Sequence, residues 1–417
     1  METKTRVKAS HKKSIAAIDI GTSKVMVMVG EYDEHGFEVI GVGEEQSIGL
    51  RNGMVVDVDK TIETVRRAIL AAENDAARKV DSVMTGIASK DVVSDNLKVQ
   101  RQISKNEVSE EDVTAMDLAA RTSVVLSNDQ TLIDVIPTGY LLNHNQFVYK
   151  PIGMSARNMD GHYHVMTAPS AQMANISRCI TRAGVKVEGT ILQPIASSTA
   201  CLSDDEKEMG VVLVDIGAGT TDIAIFKEHA VVHSSCIAIG GHSFTYDIRV
   251  ALHTSNDDAE QIKQRFGVAH KSFAELDREF EVRGIGNVPV RKMRQTDLAS
   301  IIQPRSEDLL EEVNKIIQAT GLARELYSGV VLTGGASLLR GLDALANDIF
   351  AMRVRIALPN YQGKYAELVH NPRYATCFGL LQVAYTRRMQ ELRRASRPGN
   401  ELLGLPARIT QFFKNIF

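Results

Sequence analysis

Two segments in different halves of the chain place an aspartate and a glycine at the end of an apolar run. The first, SIAAIDIGTSKVMVMVGEY, begins at Ser14, and the second, GVVLVDIGAGTTDIAIFKE, begins at Gly210. In each, a β-branched run ends in Asp-Ile-Gly, passes through a small polar turn and continues as a second apolar run. This pattern predicts two strand–turn–strand hairpins. Because it occurs twice, we predict two homologous lobes that face each other.

Both turns contain the residue types that bind phosphate and a divalent cation. Glycine lets the backbone approach a ligand closely, hydroxyl groups donate hydrogen bonds, and lysine supplies a point charge. A carboxylate at the start of each turn can hold Mg²⁺ through its water shell. The candidate residues are Asp19, Gly21, Thr22, Ser23 and Lys24 in the first hairpin and Asp215, Gly217, Gly219, Thr220 and Thr221 in the second. Two ordinary β-turns are the alternative, and the repetition favours a ligand site.

Two later segments could complete such a site. The strand GVVLT runs into Gly334, Gly335 and Ala336, and a periodic helix with Leu338, Leu339, Leu342, Leu345 and Ile349 is predicted to follow. A helix N-terminus after a glycine pair can approach a ligand, although a packing turn would have the same sequence. Glu260 and Lys263 lie three residues apart on one predicted helix face. The alternative for that pair is a solvated ion pair of little consequence.

Composition limits the classes of protein to which the chain can belong. Its length of 417 residues predicts at least two lobes, and a net charge of −3 argues against a nucleic-acid-binding protein. The four cysteines, at 179, 201, 236 and 377, form no C-x-x-C pair, so we expect free thiols in a reducing cytoplasm. No apolar run approaches 18 residues, and we expect no membrane-spanning segment.

Residues 83–165 predict a separate small α+β subdomain. The segments after Val83, Thr131 and Gly161 alternate like strands, and SEEDVTAMDLAARTSVV has the periodicity of a helix. Ser109 is the predicted cap of that helix, with Asp112 in place of the usual glutamate of a capping box. A metal site of His144, His162 and His164 is the alternative role for polar residues here. It lacks neighbouring carboxylate or cysteine ligands in the sequence.

Taken together, the two hairpins, the Gly-Gly turn and two connecting segments resemble the actin/Hsp70/sugar-kinase ATPase superfamily. The connecting segments are GTILQPIASSTACL and RYATCFGLLQVAY, and the resemblance extends from about residue 14 to residue 386. Within the superfamily the chain is similar to the bacterial actin-like cell division proteins, in its length, its insertion and its C-terminal tail. The resemblance implies an α/β, actin-like two-lobed ATPase fold with ribonuclease-H-like lobes, an inserted α+β subdomain and a C-terminal amphipathic helix.

The resemblance also implies ATP and Mg²⁺ in the cleft between the lobes. Asp19 and Asp215 would face the ion and its waters, the two turns would hold the β- and γ-phosphates, and Gly334 to Ala336 would line the adenosine. Glu260 and Lys263 match the helix that contacts the ribose and adenine. Gln193 occupies the position from which relatives orient the attacking water. Because glutamine is a poor base, we expect slow hydrolysis and an ATP-dependent switch or assembly unit.

The resemblance implies a division of the chain into segments. We expect the first lobe to comprise 14–83, 166–200 and 359–386, the inserted subdomain 84–165, the second lobe 201–240 and 299–358, its tip 241–298, a linker 387–404 and a membrane-binding helix 405–417. The tip is expected to dock the C-terminal peptide of the tubulin homologue FtsZ, since its basic residues could pair with the carboxylates of that peptide. Those residues are Arg283, Arg291, Lys292 and Arg294. Self-association into filaments and contacts with later division proteins of the membrane are also implied.

The C-terminal tail, ELLGLPARITQFFKNIF, has one apolar stripe at helical spacing. The stripe consists of Leu405, Ile409, Phe412, Phe413 and Ile416, with Phe417 at the end, while Arg408 and Lys414 are among the polar residues. A core-capping helix and a helix bound in a partner's groove are alternatives. The stripe, the aromatic residues and the arginines before them together predict a helix that lies on an anionic membrane surface. We therefore expect a peripheral protein on the cytoplasmic face of the inner membrane, at the division site.

A soluble kinase of the same superfamily is the main functional alternative. Such an enzyme requires a substrate cleft with a catalytic aspartate, and the sequence offers none outside the two turns. A chaperone of Hsp70 type would require a β-rich peptide-binding domain after the ATPase lobes. Too few residues follow Tyr385 for such a domain. An actin-like scaffold that does not tether FtsZ remains a further alternative.

Overall fold

The computed structural model describes residues 13–286 and 289–395 of the chain. It begins with three consecutive antiparallel strands, a short hairpin and a long helix that Asp57 caps through its side chain. Strand β6 then pairs in parallel with β1. These elements are β1 (Lys13–Ile20), β2 (Lys24–Tyr32), β3 (Phe37–Gln46), β4 (Leu50–Arg51), β5 (Met54–Val55), α1 (Val58–Ala76) and β6 (Ser82–Ile87).

The predicted subdomain follows as a four-stranded antiparallel sheet with one helix. The strand order is β7-β10-β8-β9, and Tyr140, Met159 and Tyr163 are buried in its own core beneath the helix. Ser109 caps the helix, and both bonds of the capping box with Asp112 are present. The elements are β7 (Val93–Gln102), α2 (Glu110–Ser123), β8 (Gln130–Leu142), β9 (Gln146–Val148) and β10 (Asn158–Pro169). The prediction of an inserted α+β unit is confirmed.

The chain then completes the first lobe and forms the second. β11 adds in parallel to β6, and β12, β13 and β14 repeat the antiparallel arrangement of β1 to β3. All six residues of β12 are buried, as expected for a central strand covered on both faces. The elements are α3 (Ser170–Arg182), β11 (Lys186–Leu192), α4 (Gln193–Cys201), α5 (Asp204–Met209), β12 (Val211–Ile216), β13 (Thr221–Lys227) and β14 (Ala230–Ile237).

The tip of the second lobe and the return to the first complete the described fold. A two-stranded sheet forms the tip, and β17 and β18 add in parallel to β12. The elements are α6 (Gly241–Leu252), α7 (Asn256–Phe266), β15 (Glu279–Val282), β16 (Arg291–Arg294), α8 (Gln295–Ala319), β17 (Val330–Thr333), α9 (Leu342–Phe350), β18 (Val354–Ile356), α10 (Ala366–Val369) and α11 (Ala375–Ala395).

The two lobes share one sheet topology. The strand order is β11-β6-β1-β2-β3 in the first and β14-β13-β12-β17-β18 in the second, so the two sheets correspond strand by strand when one is reversed. One apolar core fills the first lobe and extends to one face of the second-lobe sheet, and a second core covers the other face of that sheet. The internal repeat that the two Asp-Ile-Gly segments predicted is therefore a repeat of the whole sheet, and the two-lobed actin-like fold is confirmed.

Two sequence-based boundaries differ from the structure. After the glycine pair, residues 335–338 form a 3₁₀ turn, and α9 begins only at Leu342, because Gly341 has a left-handed φ of 81° that breaks the predicted continuous helix. Leu338 is half exposed rather than buried. In addition, α11 continues to Ala395, so residues 387–395 of the predicted linker are helical.

None of the described helices is long and apolar enough to cross a membrane. All four cysteines are buried and free, as predicted. The predicted membrane helix 405–417, with Leu405, Arg408, Ile409, Phe412, Phe413, Lys414, Ile416 and Phe417, lies outside the described residues.

Candidate functional site

The two Asp-Ile-Gly turns have the same geometry. In the first, the Gly21 amide donates to the Lys24 carbonyl at 2.9 Å, and in the second the Gly217 amide donates to the Thr220 carbonyl at 2.9 Å. A side chain at either glycine would lie 3.1 Å from that carbonyl oxygen. The glycines therefore keep both turns tight, and residues of both turns line the space between the lobes.

The turns meet at one end of this space. A Cβ atom at Gly219 would lie 2.5 Å from the Thr22 hydroxyl oxygen and 2.9 Å from the Asn52 Cα. The same hydroxyl accepts the Gly53 amide at 3.0 Å. The tip of the β4–β5 hairpin thus packs beside both turns. Only glycine at position 219 permits the lobes to come this close.

Asp19 is the penultimate residue of β1 and is 8% exposed. Gln193, the first residue of α4, donates from Nε2 to Asp19 Oδ1 at 3.1 Å. Burial raises the pKa of Asp19 to about 6, Lys24 opposes this rise, and Asp215 adds to it. A nearby cation would stabilise the charged form of this carboxyl group and lower its pKa.

Asp215 is held by hydroxyl groups of both connecting segments. Ser197 and Thr376 donate to its Oδ2 at 2.5 and 3.0 Å. Burial raises the pKa of Asp215, and these two hydrogen bonds act against the rise. A Cβ atom at Gly334 would lie 2.3 Å from its Oδ1, so the Gly-Gly turn approaches this carboxylate directly. Asp215 consequently joins both lobes and both connectors.

A third carboxylate, Asp222, was absent from the sequence-based set. It lies directly opposite Asp215 in the β12–β13 register and accepts from the Thr220 hydroxyl at 3.2 Å. Burial, with a smaller contribution from the Asp215 carboxylate, raises the pKa of Asp222 to about 8. The first hairpin has Met26 at the equivalent position, opposite Asp19. The sequence could have revealed Asp222: if residues 217–220 form a four-residue turn, residues 215 and 222 lie opposite each other in the hairpin.

Lys24 is half-buried at the base of the first turn and lines the cleft. Its ammonium group donates to the Arg373 carbonyl and lies 4.7 Å from the centre of the Tyr374 ring. Burial lowers the pKa of Lys24, while Asp19 acts in the opposite direction. A half-buried cation beside two phosphate-type turns favours an anionic ligand.

The Gly-Gly turn and α7 line the other end of the space. Gly334 has a φ of 84°, and the Arg373 side chain packs against Gly335. Lys263 Nζ lies 2.8 Å from Glu260 Oε2 and donates to the Gly241 carbonyl at 2.9 Å. Its side chain is only 13% exposed, so the pair is buried in the wall of the cleft and is not a solvated surface pair.

The pKa values of this pair follow from its burial. Burial lowers the pKa of Lys263, and Glu260 counteracts that effect. For Glu260, burial acts to raise the pKa, but Lys263 and the hydrogen bonds from Lys263, Thr245 and Gln264 outweigh burial and lower it. The ion pair and its hydrogen bonds therefore favour the charged forms of both groups, which present a polar edge to the cleft.

These residues line one cleft of about 590 Å³ between the lobes. It contains every nucleotide-site candidate named from the sequence except Thr221, whose hydroxyl donates to the Ile239 carbonyl at 2.8 Å in the second-lobe sheet. Thr221 begins β13, and its side chain alternates away from those of Thr220 and Asp222. Lining residues that the sequence did not suggest include Asp222, His242, Arg340, Arg373 and Thr376.

The donor set fits a hydrated divalent cation with a phosphate ligand. Nowhere in the described ranges do three acidic, His or Cys side chains lie together as direct ligands of one metal ion. Carboxylates around a glycine-lined space instead suit Mg²⁺, which keeps several of its waters and uses phosphate oxygens as ligands. Such an ion would also relieve the repulsion that raises the pKa values of Asp19 and Asp222.

The predicted basic strip at the tip is divided between two faces. In the β15–β16 ladder, Lys292 lies opposite Glu281 and Arg294 opposite Glu279, while Arg291 is on the other face and donates to the Leu252 carbonyl at 2.6 Å. Lys292 also lies 3.8 Å from Glu279. Arg283 directly follows β15. The cations are therefore close in space, and two of them face carboxylates.

The histidines of the inserted subdomain have different surroundings. His164 is buried and hydrogen-bonded to Asn96 and Ser234, whereas His144 lies 3.5 Å from Asp160 on the surface. Burial lowers the pKa of His162. In the described part of the chain, these residues form no group suited to a metal ion.

Sequence comparison finds relatives over almost the whole chain. The family described as "Cell division protein FtsA" matches residues 212–379, and "SHS2 domain inserted in FTSA" matches residues 89–167. The cell division protein FtsA of Neisseria meningitidis serogroup B is 37% identical over 377 residues, which cover 89% of this chain and 90% of the relative. That of Escherichia coli K12 is 35% identical over 383 residues, covering 90% and 91%.

Solved structures with similar folds are more distant in sequence. A chain of the PilM–PilN type IV pilus biogenesis complex has a TM-score of 0.63 at 17% identity, covering 88% of this chain and 97% of that one. MreB5 of Spiroplasma citri bound to AMPPNP has a TM-score of 0.56 at 13% identity, covering 92% and 99%. The MamK double helical filament has a TM-score of 0.53 at 14% identity, covering 89% and 98%.

Proposed function

We propose, since this chain belongs to the FtsA family of cell division proteins, that it is an ATP-binding, filament-forming scaffold of bacterial division. It would assemble at the division site on the cytoplasmic face of the inner membrane, tether FtsZ filaments there and recruit later division proteins. Family membership supports the role in cell division. The membrane, FtsZ and nucleotide parts are proposals from the residues described above and from similar proteins.

The observation that carries the nucleotide part is the meeting of two phosphate-type turns around buried aspartates. Gly219 contacts Thr22 across the cleft, and Asp19 and Asp215 are the penultimate residues of the strands that lead into the turns. A structural neighbour, MreB5 of Spiroplasma citri, is described as bound to AMPPNP and as bound to ADP. ATP with Mg²⁺ is the ligand that matches this arrangement best.

Each group has a defined task in this proposal. Amides and hydroxyls of the turns bind phosphate oxygens, Lys24 supplies positive charge, and Glu260 with Lys263 provides a polar edge for the ribose and base. Mg²⁺ would supply charge neutralisation at the phosphates. Gln193 already donates to Asp19, and its amide can orient a water molecule but cannot accept a proton from it. Turnover should therefore be slow, as befits a switch.

Membrane attachment and partner binding are assigned to segments outside the cleft. The apolar stripe of residues 405–417 would lie in the membrane interface, and the cations of the tip would pair with the carboxylates of the FtsZ C-terminal peptide. Self-association is supported by the likeness to the filament-forming MamK fold. Together these parts give a body that binds nucleotide, assembles and attaches to a membrane.

Calorimetric titration of ATP tests the nucleotide proposal. With Mg²⁺ present we expect saturable binding to the wild-type chain, and at least a tenfold weaker affinity for Asp215→Asn, because the ion loses an anionic neighbour. Asp277→Asn, at an exposed position of the second lobe, is the matched control and should bind like the wild type. Equal affinity for ATP in wild type and Asp215→Asn, or no binding to the wild type, would refute the assignment.

A further inference from the structure

The inserted subdomain contacts both lobes, although the chain connects it only to the first. The chain enters it from β6 and leaves it into α3, both of which belong to the first lobe. Its strands β7, β8 and β10 nevertheless lie against β14, the edge strand of the second-lobe sheet. The subdomain therefore spans the two bodies whose relative movement would open or close the cleft.

Directional hydrogen bonds connect the subdomain to the second lobe. We name this contact the seam; it consists of Ser94, Asn96 and His164 of the subdomain and Val232 and Ser234 of β14. The Ser94 hydroxyl donates to the Ser234 carbonyl at 2.6 Å, and Asn96 Nδ2 lies 3.5 Å from the Val232 carbonyl. His164 Nδ1 lies 3.0 Å from Asn96 Oδ1, and its Nε2 lies 2.9 Å from the Ser234 hydroxyl. His164 and Ser234 are each 1% exposed.

The seam has one consistent proton arrangement. Because Asn96 donates from Nδ2 to Val232, its Oδ1 must accept the proton of His164 Nδ1. When the imidazole is neutral, His164 Nε2 accepts from the Ser234 hydroxyl. Burial, with a smaller contribution from His233, lowers the pKa of His164 to about 3. The seam therefore keeps this pattern at every physiological pH, and breaking it would leave buried polar groups without partners.

A second contact holds the subdomain further along the second lobe. The Tyr149 hydroxyl donates to Glu228, and the Tyr149 and His229 rings lie edge to face with centroids 6.5 Å apart. Two separated contacts on one body oppose rotation as well as translation.

Towards the first lobe, the subdomain is held where β10 runs directly into α3: the Ser170 amide donates to the Asp129 carbonyl at 2.8 Å, and the Thr131 and Ser170 hydroxyl oxygens lie 2.6 Å apart. The apolar residues Ile133 and Met166 belong to a core that includes residues of both lobes. The junction of β10 and α3 is therefore a point about which the subdomain can turn relative to the first lobe.

β14 is tied directly to the cleft. It pairs with β13, in which Asp222 lies opposite Cys236, and β13 begins where the second turn ends. The Thr221 hydroxyl also donates to the Ile239 carbonyl just beyond β14. A displacement of the second turn therefore displaces β14, and the seam passes this displacement to the inserted subdomain.

We propose that the inserted subdomain is a strut that moves with the second lobe and turns on the first, about the junction of β10 and α3, when the cleft changes its opening. Its position relative to the first lobe would then report whether nucleotide is bound, a consequence that rests on the nucleotide binding proposed above. The subdomain would present its outer surface to other molecules in two nucleotide-dependent positions.

Distances between pairs of spin labels test this proposal. One pair of labels, at exposed positions 111 on α2 and 318 on α8, measures the distance between the subdomain and the second lobe. A second pair, at 111 and at 70 on α1, measures the distance between the subdomain and the first lobe. The labels are attached to Glu111→Cys, Gln318→Cys and Leu70→Cys. The native cysteines are buried and should not be labelled. With Mg²⁺ and a non-hydrolysable ATP analogue, we expect the 111–318 distance to stay constant and the 111–70 distance to shift.

A seam variant provides the second arm. In Ser94→Ala/Asn96→Ala, the 111–318 distribution should broaden even without nucleotide, whereas Gln100→Ala, an exposed position on the same strand face, should leave it narrow. A 111–318 distance that changes on binding, an unchanged 111–70 distance with nucleotide bound, or an unbroadened seam variant overturns the strut. Calorimetry on the same samples shows whether nucleotide is bound, so a failure of the strut is distinguished from a failure of nucleotide binding. The broadening in the seam variant is measured without nucleotide and does not depend on binding.

Discussion

At the scale of single residues, the buried aspartates of the cleft determine what it can bind. Asp19, Asp215 and Asp222 come from two hairpins and have raised pKa values, chiefly because burial penalises their charged forms. A nearby cation and the ordered donors of the turns would stabilise those charged forms. Ionising these carboxyl groups in the absence of a ligand therefore lowers the free energy of unfolding, and ligand binding should stabilise the folded chain.

This cost predicts a pH dependence of stability. A carboxyl group with a pKa of about 8 in the folded state and about 4 in the unfolded state binds more protons when folded, so its contribution to the free energy of unfolding falls as pH rises from about 4 to about 8. Without Mg²⁺ or nucleotide, Asp222→Asn should therefore be more stable than the wild type at pH 8, by about 1–3 kcal/mol. The difference should be smaller at pH 5.

Urea denaturation at both pH values measures this effect. Asp277→Asn, which changes an exposed carboxylate, should match the wild type at each pH. If Asp222→Asn shows the same pH dependence as the wild type, the buried carboxylate does not have the assigned pKa.

Sequence reasoning found the aspartates near the ends of β1 and β12 and missed Asp222, the second residue of the return strand β13. Asp19 and Asp215 stand out because each interrupts an apolar run and the pattern recurs. Asp222 does not, since it becomes visible only through the hairpin register that sets it opposite Asp215. Ser197 and Thr376 could not be found either, because they reach Asp215 from connectors distant in the chain.

At the scale of elements, the contact between the two turns depends on the absence of a side chain at position 219. Gly219→Ala would place a methyl group 2.5 Å from the Thr22 hydroxyl and 2.9 Å from the Asn52 backbone. The turn or the hairpin must then move apart. We expect at least a tenfold loss of ATP affinity with little change in the circular dichroism spectrum.

Ala218→Gly is the matched control for this variant, because it removes a methyl group from the same turn. Calorimetric titration should give it an affinity much closer to that of the wild type. Unimpaired binding of ATP by Gly219→Ala would mean that the contact between the turns is not needed for the site.

The helix of the inserted subdomain depends on its N-terminal cap. Ser109 and Asp112 exchange both hydrogen bonds of a capping box. Ser109→Ala should destabilise the subdomain by about 0.5–2 kcal/mol. Faster hydrogen exchange of the α2 amides would report this loss, while Thr114→Ala, at an exposed site of the same helix, should change stability by less than about 0.5 kcal/mol. Equal protection in the two variants would contradict the role of the cap.

Local signals predicted elements well where they were strong. The cap at Ser109 and the two hairpins followed from residue type and spacing, whereas the start of α9 was misjudged because Leu338 and Leu339 fit the apolar period by chance. Gly341 in a left-handed conformation ends that continuity. The end of α11 was placed too early because arginine-rich sequence is as compatible with an exposed helix as with a linker.

At the scale of the whole molecule, the proposed function requires the two lobes and the predicted C-terminal helix, residues 405–417, to act together. A 13-residue helix is about 20 Å long and too short to cross a bilayer. Its five apolar residues would contribute roughly 5–10 kcal/mol before the cost of folding a short helix. A single tail should therefore bind weakly, and a filament that carries many tails should bind firmly through avidity. Attachment would then depend on assembly.

Liposome co-sedimentation with Mg²⁺ and ATP tests this central claim most directly. The full chain should sediment with anionic liposomes steeply above a threshold protein concentration. A chain that ends at residue 401 should remain in the supernatant while it still binds ATP in calorimetric titrations. Sedimentation of the shortened chain at the level of the full chain, or binding of the full chain that is hyperbolic in protein concentration, would contradict the account.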